Sequence, residues 1–215
     1  MTDNNTLYTY WRSSAAYRVR IALHLKGIAH RDEYIHLTKD GGQQRLERYS
    51  AINPQQLVPA WQDENGVLTQ SLAIIEYLDE RYPEPPLLPR NAYDRARVRA
   101  LALVVAADIH PINNLRVIQY LRSELGAQDE QINAWYRHWI SIGLEALEQS
   151  VGDRGYCFGD SVTLADLCLV PQLYNARRFD VPLETYPRLL TIDSTCRALE
   201  PFKLAAPEVQ QDAQL

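Results

Sequence analysis

Two hydroxyl side chains stand where the sequence predicts the first helix to begin, and they are well placed to do chemistry. A short apolar strand is predicted over Leu7 to Trp11, just before Ser13 and Ser14. A helix is predicted over Ser14 to Lys26, with Gly27 as its stop. Unpaired amides and the dipole at a helix N-terminus can hold a negative group, and hydroxyls there can donate to a thiolate. The alternative role for Ser14 is a plain N-cap, because serine caps many helices.

A second candidate is Pro59, which stands in a strand predicted over Leu57 to Trp61. A cis bond before this proline would let the backbone of Val58 face an extended, peptide-like ligand as a strand edge does. An ordinary proline of an edge strand is the alternative.

The third candidate is the polar pair Gln70 and Ser71, directly before a helix predicted over Leu72 to Arg81. Exposed amides at such a helix start can take a carboxylate, although simple capping is the alternative. The three places lie at the ends of three elements. In this order of elements they can converge on one cleft suited to an anionic peptide that carries a thiol.

The elements that must position these residues change in type along the chain. Before a connector with four prolines between Pro83 and Pro89, the order is βαβ, a short helix and ββα, which suggests a small mixed sheet covered by helices. After it, helices dominate, and the polar tail from about Ala206 is expected to be loose. The other predicted elements are strands Glu33–Leu37 and Val67–Gln70, a turn at Asn65–Gly66, and helices over Gln43–Tyr49, Ala92–Ala107, Ile112–Leu125, Ile132–Ala146 and Leu164–Arg177, with another from Pro187.

Composition limits the classes of protein that fit. The chain has 215 residues, 46% apolar and 23% charged, and its net charge of −5 argues against a nucleic-acid partner. Three widely spaced cysteines, Cys157, Cys168 and Cys196, favour reduced thiols over disulfides. Neither a signal peptide nor an apolar stretch long enough to span a bilayer is visible, so we expect no membrane partner and a cytoplasmic location. The histidines lack metal-ligand spacing, so no metal site is predicted.

Four segments share their residues with one protein family. They are SSAAYRVRIAL from Ser13, NPQQLVP from Asn53, QSLAIIEYL from Gln70 and TLADLCLVPQ from Thr163. Together they resemble the zeta class of glutathione transferases over nearly the whole chain. The resemblance implies an α/β thioredoxin-like N-terminal domain over residues 1–83 and an all-α C-terminal domain over residues 90–215, which is the glutathione transferase fold.

The resemblance also implies the roles of particular residues. Glutathione would be the cofactor, and Ser14 and Ser13 would be catalytic. The implied glutathione-binding residues are Ser13, Ser14, Gln44, Val58, Pro59, Gln70, Ser71, His110, Asn114 and Arg116. The implied substrate-binding residues are Arg12, Arg116 and Arg178, because arginine forks suit the carboxylates of a diacid. For Arg177 we expect a solvated surface charge.

Zeta-class enzymes are known as maleylacetoacetate isomerases, and close bacterial relatives isomerise maleylpyruvate. The stretches Asp108–Asn114 and Ile132–Trp135 are more similar to the maleylpyruvate branch. The resemblance therefore implies a glutathione-dependent cis–trans isomerase that converts a maleyl diketo acid to its fumaryl isomer by reversible thiolate addition. Such an enzyme would serve the catabolism of aromatic amino acids or other aromatic compounds, and it would be a homodimer.

One departure from the family pattern affects the chemistry. Ala15 stands where the zeta signature usually has cysteine, and Tyr17 where tryptophan is common. A cysteine at this place is therefore not required, which leaves the chemistry to the sulfur of glutathione. Two alternatives remain: a transferase that conjugates or dehalogenates small α-haloacids, and a non-catalytic glutathione-binding module. A thioredoxin-type oxidoreductase is excluded, since the chain has no Cys-x-x-Cys.

Overall fold

The computed structural model describes residues 5–214 and divides them into two units. The first unit comprises the chain up to Pro86 together with the segment from Leu199 onward, and the second is Leu87–Ala198. The sequence analysis assigned the whole stretch 90–215 to the helical domain. The C-terminal segment instead packs on the first unit, where Arg20 donates a hydrogen bond to the carbonyl of Ala205.

A four-stranded mixed sheet forms the centre of the first unit, as predicted. Its strands are β1 (Thr6–Thr9), β2 (Arg31–Tyr34), β3 (Ala60–Asp63) and β4 (Gly66–Thr69). The spatial order is β2-β1-β3-β4, in which β1 and β2 are parallel and the other pairs are antiparallel. Helices α1 (Ser14–Leu25), α2 (Glu47–Ser50) and α3 (Ser71–Arg81) follow in the predicted βαβ, helix, ββα order.

The predicted boundaries were wrong for all four strands, and β4 spans Gly66–Thr69 rather than Val67–Gln70. Strand β1 ends at Thr9 rather than Trp11, because Ser13 N–H bonds to the carbonyl of Tyr10 and turns the chain. Strand β2 ends at Tyr34, where its parallel partner β1 also ends, so the predicted strand to Leu37 was too long. Strand β3 begins only at Ala60, after a proline that cannot donate to a ladder.

The β3–β4 hairpin turns one residue earlier than predicted. Asp63 pairs with Gly66, so the two turn residues are Glu64 and Asn65. The carboxylate of Asp63 accepts the amide hydrogen of Asn65 at 2.8 Å, and Gly66 takes φ +123° as the first residue of β4. A side chain that bonds the backbone two residues on is a common turn former, and here it shifts the turn.

The C-terminal segment was expected to be loose, and this prediction was wrong. Helix α9 (Glu200–Ala205) packs against α1, and a 3₁₀ turn follows at Pro207–Val209. Pro207 is buried, and Ala213 packs against the apolar cluster that contains Tyr10 and Trp11. A few buried contacts suffice to order a polar tail of this kind, and composition alone does not reveal them.

The second unit is helical, as predicted. Its helices are α4 (Ala92–Leu103), α5 (Leu115–Ser123), α6 (Asp129–Ser150), α7 (Leu164–Arg178) and α8 (Pro187–Ala198). Helix α7 begins with the predicted capping box, in which Thr163 and Asp166 satisfy each other's backbone amides. Helix α4 continues through a π-helical segment, Val104–Ile109, and the helical run changes at Pro111, as expected.

Helix α6 approaches the π-helical segment closely because it carries a glycine at the contact. A Cβ placed on Gly143 would lie 2.2 Å from Cδ1 of Ile109, far inside van der Waals contact. Ile109 is 1% exposed and has no room to move away. Gly143 thus allows the segment that leads to His110 to pack closely against α6.

The expectation that no segment could span a membrane needs correction. By length and composition the helical run Ala92–Ser123 is long and apolar enough to cross one. One such run is weak support for a membrane helix, because core helices of folded domains pass the same test.

All three cysteines are buried and none of them forms a disulfide, as the sequence predicted. Burial and the neighbouring carboxylate of Asp166 raise the pKa of the Cys157 thiol, and burial does the same for Cys196. We expect none of them to react with iodoacetamide in the folded protein, whereas all three will react in urea. Mass spectrometry of the alkylated protein counts the modified thiols. One thiol modified at the same rate in both conditions would contradict the burial described here.

Candidate functional site

The sheet register brings the three predicted sites to one end of the first unit. Tyr8 near the end of β1 pairs with Ala60 at the start of β3, which pairs in turn with Thr69 at the end of β4. The loop after β1, the segment before β3 and the start of α3 therefore emerge side by side. Because β2 runs parallel to β1, the loop after β2 leaves from the same end.

The two serines at the start of α1 have different roles. Ser13 is the N-cap, and its Oγ accepts the amide hydrogen of Ala16 at 3.2 Å. Ser14 is the first helical residue, so the alternative in which it caps the helix was wrong. Within residues 5–214 the Ser14 hydroxyl makes no hydrogen bond, and the residue is 8% exposed. A buried hydroxyl at a helix N-terminus without a partner can donate to an anion.

The bond between Val58 and Pro59 is cis, as the sequence analysis expected. Val58 is largely buried, and in the described part of the chain its backbone amide and carbonyl make no hydrogen bond. Buried backbone groups are nearly always paired, so this residue offers a donor and an acceptor to an extended ligand.

The start of α3 has uncapped amides. The N-cap residue Gln70 takes φ +71°, and its side chain does not cap the helix but donates to Oε1 of Gln55 at 2.9 Å. Simple capping by the side chain of Gln70 was therefore wrong. An eleven-residue helix that begins without a side-chain cap leaves amide hydrogens available for a carboxylate.

The hydroxyl of Ser71 is held by an arginine from the first helix. Arg18 is 2% exposed, and its Nη1 donates to Ser71 Oγ at 3.2 Å. The sequence analysis missed this role. The available signal was the pair Arg18 and Arg20 on a largely apolar helix. Residues two apart lie about 200° apart around a helix, so both arginines cannot face solvent on one stripe and at least one must be buried.

Gln44 lies in the loop after β2, in a 3₁₀ turn over Gln43–Arg45. Its Nε2 donates to the carbonyl of Leu37 at 3.2 Å, while its buried Oε1 has no partner among the described residues. The predicted helix over Gln43–Tyr49 is in fact this turn and the one-turn helix α2. An unpartnered buried oxygen next to the ends of β1 and β2 is suited to accept a ligand amide.

Arg12 lies in the loop between β1 and α1 and is exposed, with its guanidinium 4.4 Å from the ring centre of Trp11. Its stacking on an aromatic face holds the charge in place without a carboxylate partner.

Three other predicted residues belong to one turn of the second unit. His110 follows the π-helical segment, and Asn114 is the N-cap of α5, whose Oδ1 accepts the amide hydrogen of Arg116 at 3.1 Å. Arg116 itself is exposed. The structure thus shows a capping role for Asn114.

Two side chains of α6 hold this turn. Trp135 Nε1 donates to the carbonyl of Ile112 at 3.0 Å, and the Tyr136 hydroxyl donates to the carbonyl of Asn113 at 2.9 Å. Burial raises the pKa of Tyr136, and the positive charges of Arg178 and Arg122 partly oppose that effect. Tyr136 therefore connects the turn that carries His110 with the neighbourhood of Arg178.

The variant Tyr136→Phe leaves the carbonyl of Asn113 without its donor in a buried setting. We expect the free energy of unfolding to fall by about 1–3 kcal/mol, since an unsatisfied buried acceptor keeps its desolvation cost. Urea denaturation of both proteins measures the difference. Tyr120→Phe is the matched control, because Tyr120 is exposed on the neighbouring helix α5. Equal stability of the two variants would show that the hydroxyl of Tyr136 is not needed.

The two arginines at the end of α7 differ in their contacts. Arg178 is exposed, and its Nη1 donates to Oδ1 of Asn175 at 3.1 Å. Arg177 was expected to be a solvated charge, but its Nη2 lies 2.5 Å from the buried carboxylate of Asp193 on α8. Arg177 thus forms a structural ion pair with Asp193, whereas the charge of Arg178 lies at the surface.

Residues 5–214 contain no group of three His, Cys, Asp or Glu side chains able to hold a metal ion.

Comparison with known proteins decides the family. Residues 7–86 match the model of the glutathione S-transferase N-terminal domain, and residues 143–192 match that of the C-terminal domain. A probable maleylacetoacetate isomerase of Vibrio cholerae is 52% identical over 96% of this chain and 97% of its own length. The chain belongs to the glutathione S-transferase family. This zeta-class protein has the fold predicted from its sequence.

Two relatives have structures solved in a holo form or with ligands bound. A zeta-class maleyl pyruvate isomerase in its holo form superposes with a TM-score of 0.93, at 48% identity over 97% of this chain and 100% of that one. A maleylacetoacetate isomerase of Anaeromyxobacter dehalogenans with glutathione bound gives a TM-score of 0.88, at 44% identity over all of both chains. The same enzyme, with dicarboxyethyl glutathione and citrate bound, gives 0.85 at 44% identity over 98% and 94% of the chains.

Proposed function

We propose that this zeta-class protein is a glutathione-dependent cis–trans isomerase that converts a maleyl diketo acid, maleylpyruvate or maleylacetoacetate, to its fumaryl isomer. The observation that carries the proposal is the set of unsatisfied groups at one end of the sheet, which suits a thiol tripeptide. The ligand of the Anaeromyxobacter relative supports it, because dicarboxyethyl glutathione joins the sulfur of the tripeptide to a four-carbon diacid.

The groups present fit glutathione in three ways. The unpaired backbone of Val58 suits the peptide backbone of the ligand, and the uncapped amides of α3 suit a carboxylate. The Ser14 hydroxyl and the start of α1 suit the sulfur, since both stabilise negative charge. The unpartnered Oε1 of Gln44 can accept an amide hydrogen. Each of these groups lacks a hydrogen-bond partner within the described chain, and a bound ligand would supply one.

In this mechanism, bound glutathione supplies a thiolate that adds to the cis double bond and departs after rotation about the resulting single bond. The protein keeps the sulfur ionised near neutral pH, for which the dipole of α1 contributes about 0.3–1 kcal/mol. A hydrogen bond from Ser14 to a charged sulfur contributes about 1.5–3 kcal/mol. Ser13 caps the first turn of this helix, of which Ser14 is the first residue.

The substrate has two carboxylates, and arginines are the groups proposed to bind them. Arg12 stands next to the serines in the loop, and Arg178 is an exposed arginine at the end of α7. Arginine matches a carboxylate with two parallel hydrogen bonds, which fixes the orientation of the diacid. On the basis of the family resemblance we assign His110, Asn114 and Arg116 to glutathione, and Arg116 also to the substrate.

The proposal is tested by incubating the protein with either maleyl diketo acid and a small amount of glutathione. We expect complete conversion to the fumaryl isomer with the glutathione concentration unchanged, since the thiol is regenerated. A parallel incubation with dichloroacetate tests haloacid chemistry, in which glutathione-dependent dechlorination would be the main activity. Turnover of dichloroacetate but of neither diketo acid would overturn the proposal.

The choice between the two substrates follows from a comparison of kcat/KM for both compounds under the same conditions. The relatives carry both names, so both substrates are tested side by side. The compound with the higher kcat/KM is then the substrate, and the similarity of Asp108–Asn114 and Ile132–Trp135 to the maleylpyruvate branch is the reason to include that compound.

We propose in addition that the protein is a cytoplasmic homodimer. The exposed apolar side chains of Leu46 and Val67 in the first unit are suited to an interface between copies, and three cysteines without a disulfide suit a reducing compartment. Light scattering after size-exclusion chromatography measures the mass. A monomer at micromolar concentration would contradict the assembly.

A further inference from the structure

The loop between β1 and α1 determines where the two serines lie. It comprises Tyr10 to Ser13, and it is closed by a hydrogen bond from Ser13 N–H to the carbonyl of Tyr10 at 2.9 Å. Groups that stabilise a reacting atom must be held to within about 0.5 Å, so the supports of this loop matter as much as the serines themselves.

One side of the loop is held by a buried arginine of α1. Arg20 is 1% exposed, and its Nη2 donates to the carbonyl of Trp11 at 3.1 Å. Its Nη1 donates to Thr9 Oγ1 at 3.1 Å and to the carbonyl of Tyr10 at 3.4 Å. Its Nε donates to the carbonyl of Ala205 at the end of α9. A single guanidinium therefore ties the loop to the C-terminal segment.

The other side of the loop is held by the C-terminal segment itself. The amide hydrogen of Trp11 is donated to Oδ2 of Asp212 at 3.0 Å, across 201 residues of sequence. Ala213, the next residue, packs against the apolar cluster that contains Tyr10, Trp11 and Val58. Trp11 is thus fixed through both its amide and its carbonyl, by Asp212 and by Arg20.

Charges of both signs lie around this contact. Burial raises the pKa of Asp212, whereas the hydrogen bond from the Trp11 amide and the positive charge of Arg20 act to lower it, and the charge of Asp32 acts to raise it. Burial lowers the pKa of Arg20 to about 10, so the group still carries its charge near neutral pH. A charged acceptor strengthens the hydrogen bond from the Trp11 amide relative to a neutral one.

We propose that Asp212 is a positioning residue for the thiolate site: by accepting the amide hydrogen of Trp11, it holds the loop that places Ser13 and Ser14 around the sulfur of glutathione. The C-terminal segment then belongs to the catalytic apparatus of the first unit. This inference rests on the proposed function for its kinetic consequences, but not for its effect on the bound thiol.

The test compares Asp212→Ala, Asp212→Asn and the control Glu208→Ala. Asp212→Ala removes the acceptor, whereas asparagine keeps one oxygen that can accept from Trp11. Glu208 is exposed in the same segment, so its loss changes the charge of the segment without touching the loop. The thiol of bound glutathione is titrated by the ultraviolet absorbance of its thiolate, and kcat and KM are measured for the substrate and for glutathione.

For Asp212→Ala we expect the pKa of the bound thiol to rise and kcat/KM to fall roughly 10- to 100-fold, the range that a small misplacement of catalytic groups produces. Asp212→Asn should recover most of both values, and Glu208→Ala should equal the unsubstituted protein. A thiol pKa in Asp212→Ala equal to that in Glu208→Ala would overturn the proposal.

Failures of the two proposals are distinguishable. If the unsubstituted protein isomerises neither diketo acid, the proposed function fails, and the thiol titration still tests the positioning because it needs only glutathione. If Asp212→Ala lowers Tm strongly, the Asp212→Asn protein, which keeps its acceptor, supplies the comparison. An Asp212→Asn protein of normal Tm with no recovery of the thiol pKa would also overturn the inference.

Discussion

Replacing Ser14 with alanine will lower kcat for the isomerisation by about 10- to 100-fold, the rate equivalent of losing a hydrogen bond to a charged group. The Ser14 hydroxyl makes no hydrogen bond within residues 5–214, so its removal leaves no other group of the described chain unsatisfied. We therefore expect the free energy of unfolding to change by less than about 0.5 kcal/mol. Steady-state kinetics and urea denaturation measure the two quantities.

Ser13→Ala is the matched control for this experiment. Ser13 caps α1 through its bond to the amide of Ala16, so we expect a loss of about 1 kcal/mol in stability and a smaller loss of turnover. The two variants should thus separate stability from catalysis. Equal and mild effects on kcat would assign the stabilisation of the thiolate to the backbone amides of α1 instead of to a hydroxyl.

Replacing Arg178 with alanine will raise KM for the diketo acid by about 10- to 100-fold, because a charge-assisted bond to a carboxylate is lost. KM for glutathione should stay unchanged, since Arg178 is assigned to the diacid and not to the tripeptide. Arg178 is exposed and packs near the ring of Phe179, so its loss should cost little stability. Initial rates with each substrate varied in turn separate the two KM values.

The neighbouring Arg177 provides the control. Arg177→Ala breaks the ion pair with Asp193, whose side chain is 3% exposed, so we expect a lower Tm with KM for the diketo acid unchanged. Arg178→Lys keeps the charge but loses the bidentate geometry, and it should give an intermediate KM. If KM for glutathione rises in Arg178→Ala while that for the diacid does not, the assignment of Arg178 to the substrate is wrong.

Local signals predicted the helices well. The capping box of α7 and the positive φ of Gly27 after α1 depend on residues within one turn of the boundary. Helix α3 begins at Ser71, one residue before the predicted Leu72. Strand ends were less accurate, because a strand ends where its partner ends. The residues after Thr9 contain no local signal that β1 ends where its partner β2 ends, at the pair Thr9 and Tyr34.

The candidate site, too, could be predicted only where local signals mark it. The serines, the cis proline and the start of α3 could be found from sequence, because each combines a local backbone signal with a polar residue. Which serine caps the helix could not be found, since adjacent serines can both serve. The residues that hold the site in place could not be predicted either, because the hydrogen bond from Arg18 to Ser71 joins residues 53 positions apart.

The sequence by itself determined the class of fold, the existence of the longer helices and the loops that carry the polar groups, because caps, breakers and apolar periodicity act between near neighbours. The tertiary structure alone decided that a polar tail returns to the first unit and that Asp212 holds Trp11. It also decided that Arg177 pairs with a buried carboxylate while Arg178 stays exposed. These outcomes depend on contacts between residues far apart in the chain, whose free energy arises only when packing excludes water from both partners.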